Sequence, residues 1–121
     1  MMRVYIQTQG FDLTPAIETH VQQQVSRNLG SMEEQIIAVD VFLGDVNGPK
    51  GGDDKKALFS IQLASRLGIR LETLHGDLYT AVSRAARRAK QTVKRTVRKQ
   101  KQIRRAEIRR LRHLQGELQA L

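Results

Sequence analysis

Lysine and arginine are concentrated in one segment near the end of this chain of 121 residues. Between Arg84 and His113 the sequence RAARRAKQTVKRTVRKQKQIRRAEIRRLRH carries fourteen of the twenty-one Lys and Arg residues and a single acid, Glu107. Side chains of this kind neutralise phosphates and release their counterions, so this density of charge indicates a polyanion as ligand. Three structures could present the charge: a disordered basic tail, a helix on an anionic membrane, or one wall of a folded domain that contacts nucleic acid.

The charge is divided unevenly along the chain. Residues 1–83 have seven bases and ten acids, whereas residues 84–121 have fourteen bases and two acids, within a net charge of +9. A nearly neutral body followed by a basic final third is typical of a nucleic-acid-binding protein. The chain is 40% hydrophobic and long enough for one domain with a modest core.

Residues for most kinds of catalytic or metal site are missing. The chain has no cysteine, which excludes disulfides, thiolate ligands and a Cys nucleophile. His20, His75 and His113 lack the spacing of metal ligands, and we expect each to have a surface or turn-stabilising role. The segment GDVNGPKGG lacks the Ser or Thr that follows the lysine of a phosphate loop, and DVNGPKGGDD places its glycine wrongly for a calcium loop. We therefore predict no enzymatic activity, no cofactor, no metal and no small-molecule substrate.

Membrane and secretion signals are also missing from the sequence. No apolar run approaches the roughly 18 residues that span a bilayer, and the first residues lack the apolar segment of a signal peptide. We expect a cytoplasmic protein with no membrane partner.

The first half of the chain predicts a strand and a helix. RVYIQTQ alternates between apolar and polar residues, which predicts a strand over about residues 2–9. Thr14 and Pro15 are typical of a helix start, and Gly30 is typical of a helix end. They bound a predicted helix over about residues 15–30.

Three further strands follow, near residues 36–44, 57–65 and 66–74, with a turn around Ser65 to Gly68. The Gly-rich segment DVNGPKGGDDKK between the first two is interpreted as a mobile hairpin tip. We expect the inward-facing side chains of the three strands to be Ile37, Val39, Val41 and Leu43, then Phe59, Ile61 and Leu63, then Leu67, Ile69 and Leu71.

The last predicted helix contains the basic segment. Asp77 is a good N-cap, and an apolar residue then recurs once per turn at Leu78, Val82, Ala85, Ala89 and Val93. Lys and Arg fall on the opposite side of the helix as far as Lys101, so we expect their side chains to point away from the sheet. Ala and Val opposite the charge argue against a membrane helix, which would have Trp, Phe or Leu there. The unbroken stripe argues against disorder, which stays open for residues 103–121.

The element order β-α-β-β-β-α predicts an α+β two-layer sandwich. A parallel first pair followed by an antiparallel meander gives a four-stranded sheet with both helices on one face, a layering similar to that of double-stranded-RNA-binding domains. Packing of the last helix on the sheet should end near residue 100. The shared core is expected to contain Ile6, Val21, Val39, Ile61, Ile69, Val82 and Ala89.

Nine basic residues of the last helix have no acid among them, although like charges one turn apart destabilise a helix. Phosphates would compensate, and we predict that these residues bind RNA: Arg84, Arg87, Arg88, Lys90, Lys94, Arg95, Arg98, Lys99 and Lys101. Base stacking requires exposed aromatic rings, and we assign Phe11, Phe59 and Tyr79 to the core. Phosphate and shape recognition of a structured RNA, ribosomal RNA in particular, is favoured.

The segments LTPAIETHV and HGDLYTAV and the Lys/Arg-rich continuation resemble the ribosome hibernation factors, a family of ribosome-associated inhibitors also labelled sigma-factor modulation proteins. The resemblance covers about residues 2–101, and its most specific mark is Asp77-Leu78-Tyr79 followed by Ala81 and Val82. It implies the same β-α-β-β-β-α fold and binding of small-subunit ribosomal RNA in the channel for mRNA and tRNA. By motif position, the family's basic sites match Arg88, Lys94 or Arg95, and Arg98 or Lys99.

The chain departs from parts of that family. Long members add a second domain that dimerises ribosomes, for which 121 residues leave no room, so the resemblance is to the short form. Some short members end in an acidic tail, whereas this chain stays basic through Arg112. We expect a ribosome-binding domain over residues 1–101 and a basic helical extension or flexible tail over residues 102–121.

Two alternative functions remain: a general structured-RNA-binding protein, or a dimerising interaction module. The second is suggested by leucines at a/d spacing, which continue for about one and a half heptads, where three or four are wanted. They are Leu111, Leu114, Leu118 and Leu121. We therefore expect a monomer off the ribosome, and whether it inhibits alone or promotes ribosome pairing stays open.

Overall fold

The computed structural model describes residues 2–46 and 54–120. Most of the hairpin tip, residues 47–53, and Leu121 lie outside the described residues. The strands are β1 (Arg3–Gln9), β2 (Ile36–Asp45), β3 (Lys55–Leu63) and β4 (Gly68–His75). The helices are α1 (Pro15–Leu29) and α2 (Leu78–Gln119), with a 3₁₀ turn (Gly30–Gln35) after α1. The predicted order of strands and helices is confirmed.

The four strands form one sheet in the order β1-β2-β3-β4. β1 pairs with β2 in parallel, as the crossover through α1 requires, and the other two pairs are antiparallel. Helix α2 packs against β3, β4 and α1, which leaves the opposite face of the sheet open. The predicted α+β two-layer sandwich, with both helices on one side, is confirmed.

A single apolar core lies between the helices and the sheet. It is built from Val21, Val25 and Leu29 of α1, from alternate residues of the strands, and from one side of α2. All seven residues predicted to share this core are in it, with Ile6 partly buried at its edge.

Two strand residues predicted to face inward are exposed. Ile37 is 49% exposed while Ile36 is buried, because the pairing of β2 with β3 shifts register between Ile36 and Ala38. Leu67 is 48% exposed because it belongs to the turn between β3 and β4. Arg66 in that turn has a φ of 77°. β3 therefore ends at Leu63 and β4 begins at Gly68, whereas the alternation predicted nearly continuous strands.

Helix α1 begins and ends where the sequence predicted, with Thr14 as its N-cap and Gly30 as its C-cap. Thr14 Oγ1 accepts a hydrogen bond from the Ile17 amide at 3.2 Å, and Pro15 occupies the first helical position. Gly30 has a right-handed φ of −59°. It therefore does not stop the chain in a left-handed turn, and the backbone continues into the 3₁₀ turn.

Helix α2 is capped by Asp77 and packed through alanine. The Asp77 carboxylate accepts hydrogen bonds from the Thr80 hydroxyl at 2.7 Å and the Thr80 amide at 3.2 Å, and these bonds lower the pKa of Asp77. The helix buries Ala81, Val82, Ala85, Ala86, Ala89 and Val93. Since four of the six carry only a methyl group, the helix lies close to the sheet and to α1.

The second half of α2 leaves the body. The helix has 42 residues, and every residue from Lys101 to Ala120 is exposed. At a rise of about 1.5 Å per residue, the part beyond Gln100 extends roughly 28 Å. The prediction that packing ends near residue 100 is confirmed, and the extension is helical as far as Gln119.

We predict that Ala89→Leu lowers the free energy of unfolding by about 1–3 kcal/mol, because a larger side chain forces the helix off the sheet. Urea denaturation measures the change. The matched control Ala106→Leu, at an exposed position of the same helix, should change it by less than about 0.5 kcal/mol. Similar effects at the two positions would contradict close packing of α2.

Candidate nucleic-acid interface

The outer side of α2 and its flanks carry the predicted RNA-binding residues. Lys90 is half-buried. The other eight are exposed: Arg84, Arg87, Arg88, Lys94, Arg95, Arg98, Lys99 and Lys101. The buried alanines fix the rotation of the helix about its axis, which turns the charged side chains toward solvent.

A straight row of cations follows the centre of this outer side. We call Arg84, Arg87, Lys94, Arg98 and Lys101 the basic row. With Gln91 they recur every three or four residues, which places them in one arc of about 100° with a step of roughly 5 Å along the axis. Within residues 2–46 and 54–120, no member of the row forms an ion pair. The charges are thus available to an external polyanion.

Arg88 has a different environment from the rest. Its Nη1 donates to the Glu72 carbonyl oxygen at 2.7 Å and to Thr73 Oγ1 at 3.2 Å. These contacts join α2 to β4, the edge strand of the sheet. The prediction that all these side chains point away from the sheet is therefore wrong for Arg88, which lies on the flank of the helix beside β4.

The other flank of α2 faces α1. His20 Nε2 lies 3.0 Å from the Tyr79 carbonyl oxygen and 3.2 Å from Ser83 Oγ, and its ring meets the Tyr79 ring edge-on at 4.9 Å. Tyr79 is 39% exposed, so its predicted place in the core is wrong. The reason is that the Tyr79 ring packs on α1 at the rim, not under the helix.

The remaining histidines also make local contacts. His75 Nδ1 accepts a hydrogen bond from the Asp77 amide at 2.9 Å, as expected for a turn-stabilising residue. His113 Nε2 lies 3.0 Å from Glu117 Oε1, one turn along the exposed helix. In the described part of the chain, no group of His, Asp and Glu residues is arranged to hold a metal ion. No helix in those ranges is long and apolar enough to cross a membrane.

Lysine at the base of the hairpin is partly neutralised. Lys55 Nζ lies 2.9 Å from Asp45 and 3.9 Å from Asp54, and the hydrogen bond with Asp45 raises the pKa of Lys55. Lys56 Nζ lies 5.3 Å from the centroid of the Phe42 ring. Among the described residues, Lys55 is therefore less available to a ligand than the cations of α2 that form no ion pair.

The basic row continues past the segment identified from sequence. Arg105, Arg109 and Arg112 keep the same three- or four-residue spacing and are exposed. The set predicted from sequence ends at Lys101, because residues 103–121 remain open to disorder on apolar spacing alone. The three- or four-residue spacing of the cations is the sequence signal that extends the row.

Two solved structures have the fold described above. The crystal structure of the N-terminal domain of Protein Y from Thermus thermophilus is 26% identical with a TM-score of 0.65, over 78% of this chain and 99% of that chain. A ribosomal subunit interface protein from Coxiella burnetii is 16% identical with a TM-score of 0.67, over 79% of this chain and 97% of that chain. At the lower identity the likeness concerns the fold alone. A search among curated protein sequences found no significant match.

A family model covers most of the chain. The model described as Sigma 54 modulation protein / S30EA ribosomal protein matches residues 4–101, from β1 to the point where α2 leaves the body. The resemblance drawn from the sequence is confirmed over nearly the range expected. The chain belongs to the sigma 54 modulation protein / S30EA ribosomal protein family of ribosome-associated factors.

Proposed function

We propose that this protein is a cytoplasmic factor that binds small-subunit ribosomal RNA in the mRNA and tRNA channel and keeps idle ribosomes inactive. Residues 1–101 are the ribosome-binding domain in this proposal. The observation that carries it is the basic row, five exposed cations at helical spacing without an acid partner in the described ranges. Membership of a ribosome-associated, non-enzymatic family favours ribosomal RNA over other structured RNA.

The geometry suits phosphates held in a fixed arrangement. Because α2 is packed against the core from Leu78 to Val97, most of the row is held on a helix whose position on the body is fixed. A folded RNA presents phosphates at fixed positions, and each contact releases counterions. Exposed aromatic rings that could stack on bases are lacking on the row, so the proposed recognition depends on phosphate positions and shape.

A dimerising module is the second candidate, and one observation favours it. Leu111, Leu114 and Leu118 are exposed on the projecting part of α2. Pairing two copies there would bring Arg109, Arg110 and Arg112 of one chain near those of the other, and repulsion between these like charges would disfavour the pair. We therefore propose a monomer off the ribosome.

We predict that RNA binding weakens linearly with the logarithm of salt concentration, with a slope of about −0.7 to −0.9 per phosphate neutralised. Arg95→Ala should reduce the magnitude of that slope by about one unit, because it removes one exposed cation that makes no side-chain hydrogen bond or ion pair with the described residues. Filter binding of a helical ribosomal RNA fragment at several salt concentrations measures the slope. An unchanged slope would contradict a phosphate contact at Arg95.

We predict that replacing Lys94, Arg98 and Lys101 together by Glu abolishes sedimentation with the small subunit and relieves inhibition in a cell-free translation assay. The matched control replaces Arg3, Arg27 and Arg70 by Glu, which changes the net charge equally at exposed sites away from α2. It should retain most of the binding. If the control loses binding and the α2 variant keeps it, the interface has been assigned to the wrong side of the protein.

We predict that the variants Arg88→Ala and Arg95→Ala differ in their free energy of unfolding. Removing the Arg88 side chain leaves the contacts with β4 unmade, so Arg88→Ala should lower the free energy of unfolding by about 1 kcal/mol. Arg95→Ala should have almost no effect on stability. Equal urea midpoints for the two variants would show that the Arg88 contacts contribute nothing.

A further inference from the structure

The projecting part of α2 exposes a row of aliphatic side chains. We call Ile103, Leu111, Leu114 and Leu118 the projecting stripe, and each is 47–70% exposed. At 100° per residue they fall within an arc of about 80°, on the side of the helix that faces the sheet further back. Beyond Gln100 no sheet lies beneath them, since residues 101–120 are all exposed. The stripe therefore lacks the apolar cover that the same side of α2 has over the body.

Charged residues flank this stripe on both edges of the helix. Residues 101–120 contain six Lys or Arg residues and two Glu residues. On the helical wheel Arg104 and Arg110 lie on either side of the stripe, and Glu117, whose Oε1 lies 3.0 Å from His113 Nε2, lies on the same edge as Arg110. Arg105 and Arg109 lie on the far side with the basic row. An RNA on the far side could neutralise Arg105 and Arg109, but its phosphates could not cover the aliphatic groups. The stripe requires a different ligand, with an apolar surface and acidic edges.

The width and composition of the stripe argue against a membrane surface. Membrane-surface helices have a broad apolar face with Trp, Phe or Leu. Here the arc is narrow, residues 101–120 contain no Trp, Tyr or Phe, and Glu107 falls at the centre of the arc. An 80° seam with one polar residue inside it is the pattern of a helix that pairs with another helix, where the polar residue sets the register.

A second copy of this chain is a poor occupant on electrostatic grounds. Its own stripe would bring Arg104 and Arg110 beside the same residues of the first chain. Such edge charges select pairing partners in helical pairs, and like charges disfavour the pair. Acidic residues at the edges would reverse the sign of that interaction. Charge complementarity therefore selects an acidic helix.

A groove at the base of the projecting part of α2 could bind the end of such a helix. Where α2 leaves the body, an open groove of about 330 Å³ is lined by Leu63, Val97 and Gln100 and by the charged residues Glu34, Lys101 and Arg104. Gln100 Nε2 donates to Ser65 Oγ at 2.8 Å, which holds α2 against the turn between β3 and β4. Gln100 lies in the same arc of the helix as the stripe, one turn before Ile103, so a docked helix that continued along α2 would reach the groove and meet the body.

We propose that the projecting stripe binds one amphipathic helix of an acidic protein partner. The partner helix packs Leu or Ile residues on the stripe, places Asp or Glu beside Arg104 and Arg110, and runs toward the groove at Gln100. The stripe and the basic row lie on opposite sides of α2, so this site is separate from the proposed RNA interface.

A synthetic peptide tests the site directly. The probe is a labelled three-heptad helix with Leu at a and d and Glu at e and g, and the control probe has Lys in place of Glu. Fluorescence anisotropy at about 0.15 M salt should give a dissociation constant on the order of 10 µM for the Glu probe and no saturation with the Lys probe. Failure of the Glu probe to bind at about 100 µM would overturn the proposal.

Matched variants separate the stripe from general attraction between opposite charges. Leu111→Ser with Leu118→Ser should weaken Glu-probe binding at least about tenfold, whereas Arg105→Ser with Arg109→Ser on the far side should weaken it less than about threefold, since salt screens charges over about 8 Å. Equal losses would overturn the proposal. Circular dichroism checks that the helix is retained.

A charge exchange gives an independent answer even if serine disturbs the helix. The double variant Arg104→Glu with Arg110→Glu should bind the Glu probe at least about tenfold more weakly and should bind the Lys probe, because the edge charge is reversed. Glu is a good helix former, so the substitutions should not disturb the helix. If the variant does not change its preference from the Glu probe to the Lys probe, the proposed geometry is contradicted.

Two other outcomes would overturn the proposal. Leucine-dependent binding to phosphatidylglycerol vesicles, without binding to the Glu probe, would assign the stripe to a membrane. Leucine-dependent dimerisation in sedimentation equilibrium would assign it to a second copy of the chain.

Discussion

Close packing of the alanine side of α2 against the sheet and α1 determines which side chains of the helix are exposed to ligands. Ala81, Ala85, Ala86 and Ala89 are fully buried, which lets the helix lie against the sheet and α1 without gaps that larger side chains would need. With one side of the helix fixed, the Lys and Arg residues project from the remaining surface. Repulsion between them disfavours an isolated helix, so tertiary packing must supply the stability that the charge removes. The same packing makes the charged surface rigid.

One continuous helix connects two surfaces of different chemistry. The family match ends at residue 101, whereas α2 continues to Gln119. Across that boundary the outer basic side continues through Arg105, Arg109 and Arg112, while the inner side changes from a buried alanine surface to exposed leucines. The helix could thus hold RNA on one side and a protein helix on the other. Helix α2 has no glycine or proline between Leu78 and Gln115 that would allow it to bend. Two ligands bound on its opposite sides would therefore lie at a fixed distance from each other.

Much of the fold could be predicted from the sequence because local signals agree with the tertiary structure. Thr14, Pro15 and Asp77 cap the helices as their chemistry requires, and alternation identified the inner faces of β1 and β3. Ile37 and Leu67 were misassigned because alternation assumes regular pairing, whereas a register shift and a left-handed turn at Arg66 interrupt it. The contacts of Arg88 could not be predicted, since they depend on how near the edge strand lies to the flank of α2. Residues 103–119 form a helix although their apolar spacing alone left disorder open.

Contact between the basic row and ribosomal RNA can be tested most directly by hydroxyl-radical cleavage from a tethered iron chelate. Because the chain has no cysteine, Gln91→Cys places a single attachment site in the middle of the row, and Gln62→Cys places one on the open face of the sheet. Both positions are exposed. On small subunits, iron at residue 91 should cleave ribosomal RNA of the mRNA and tRNA channel strongly, and iron at residue 62 should cleave it weakly or elsewhere. Strong cleavage of that channel RNA from residue 62 with none from residue 91 would contradict binding through α2.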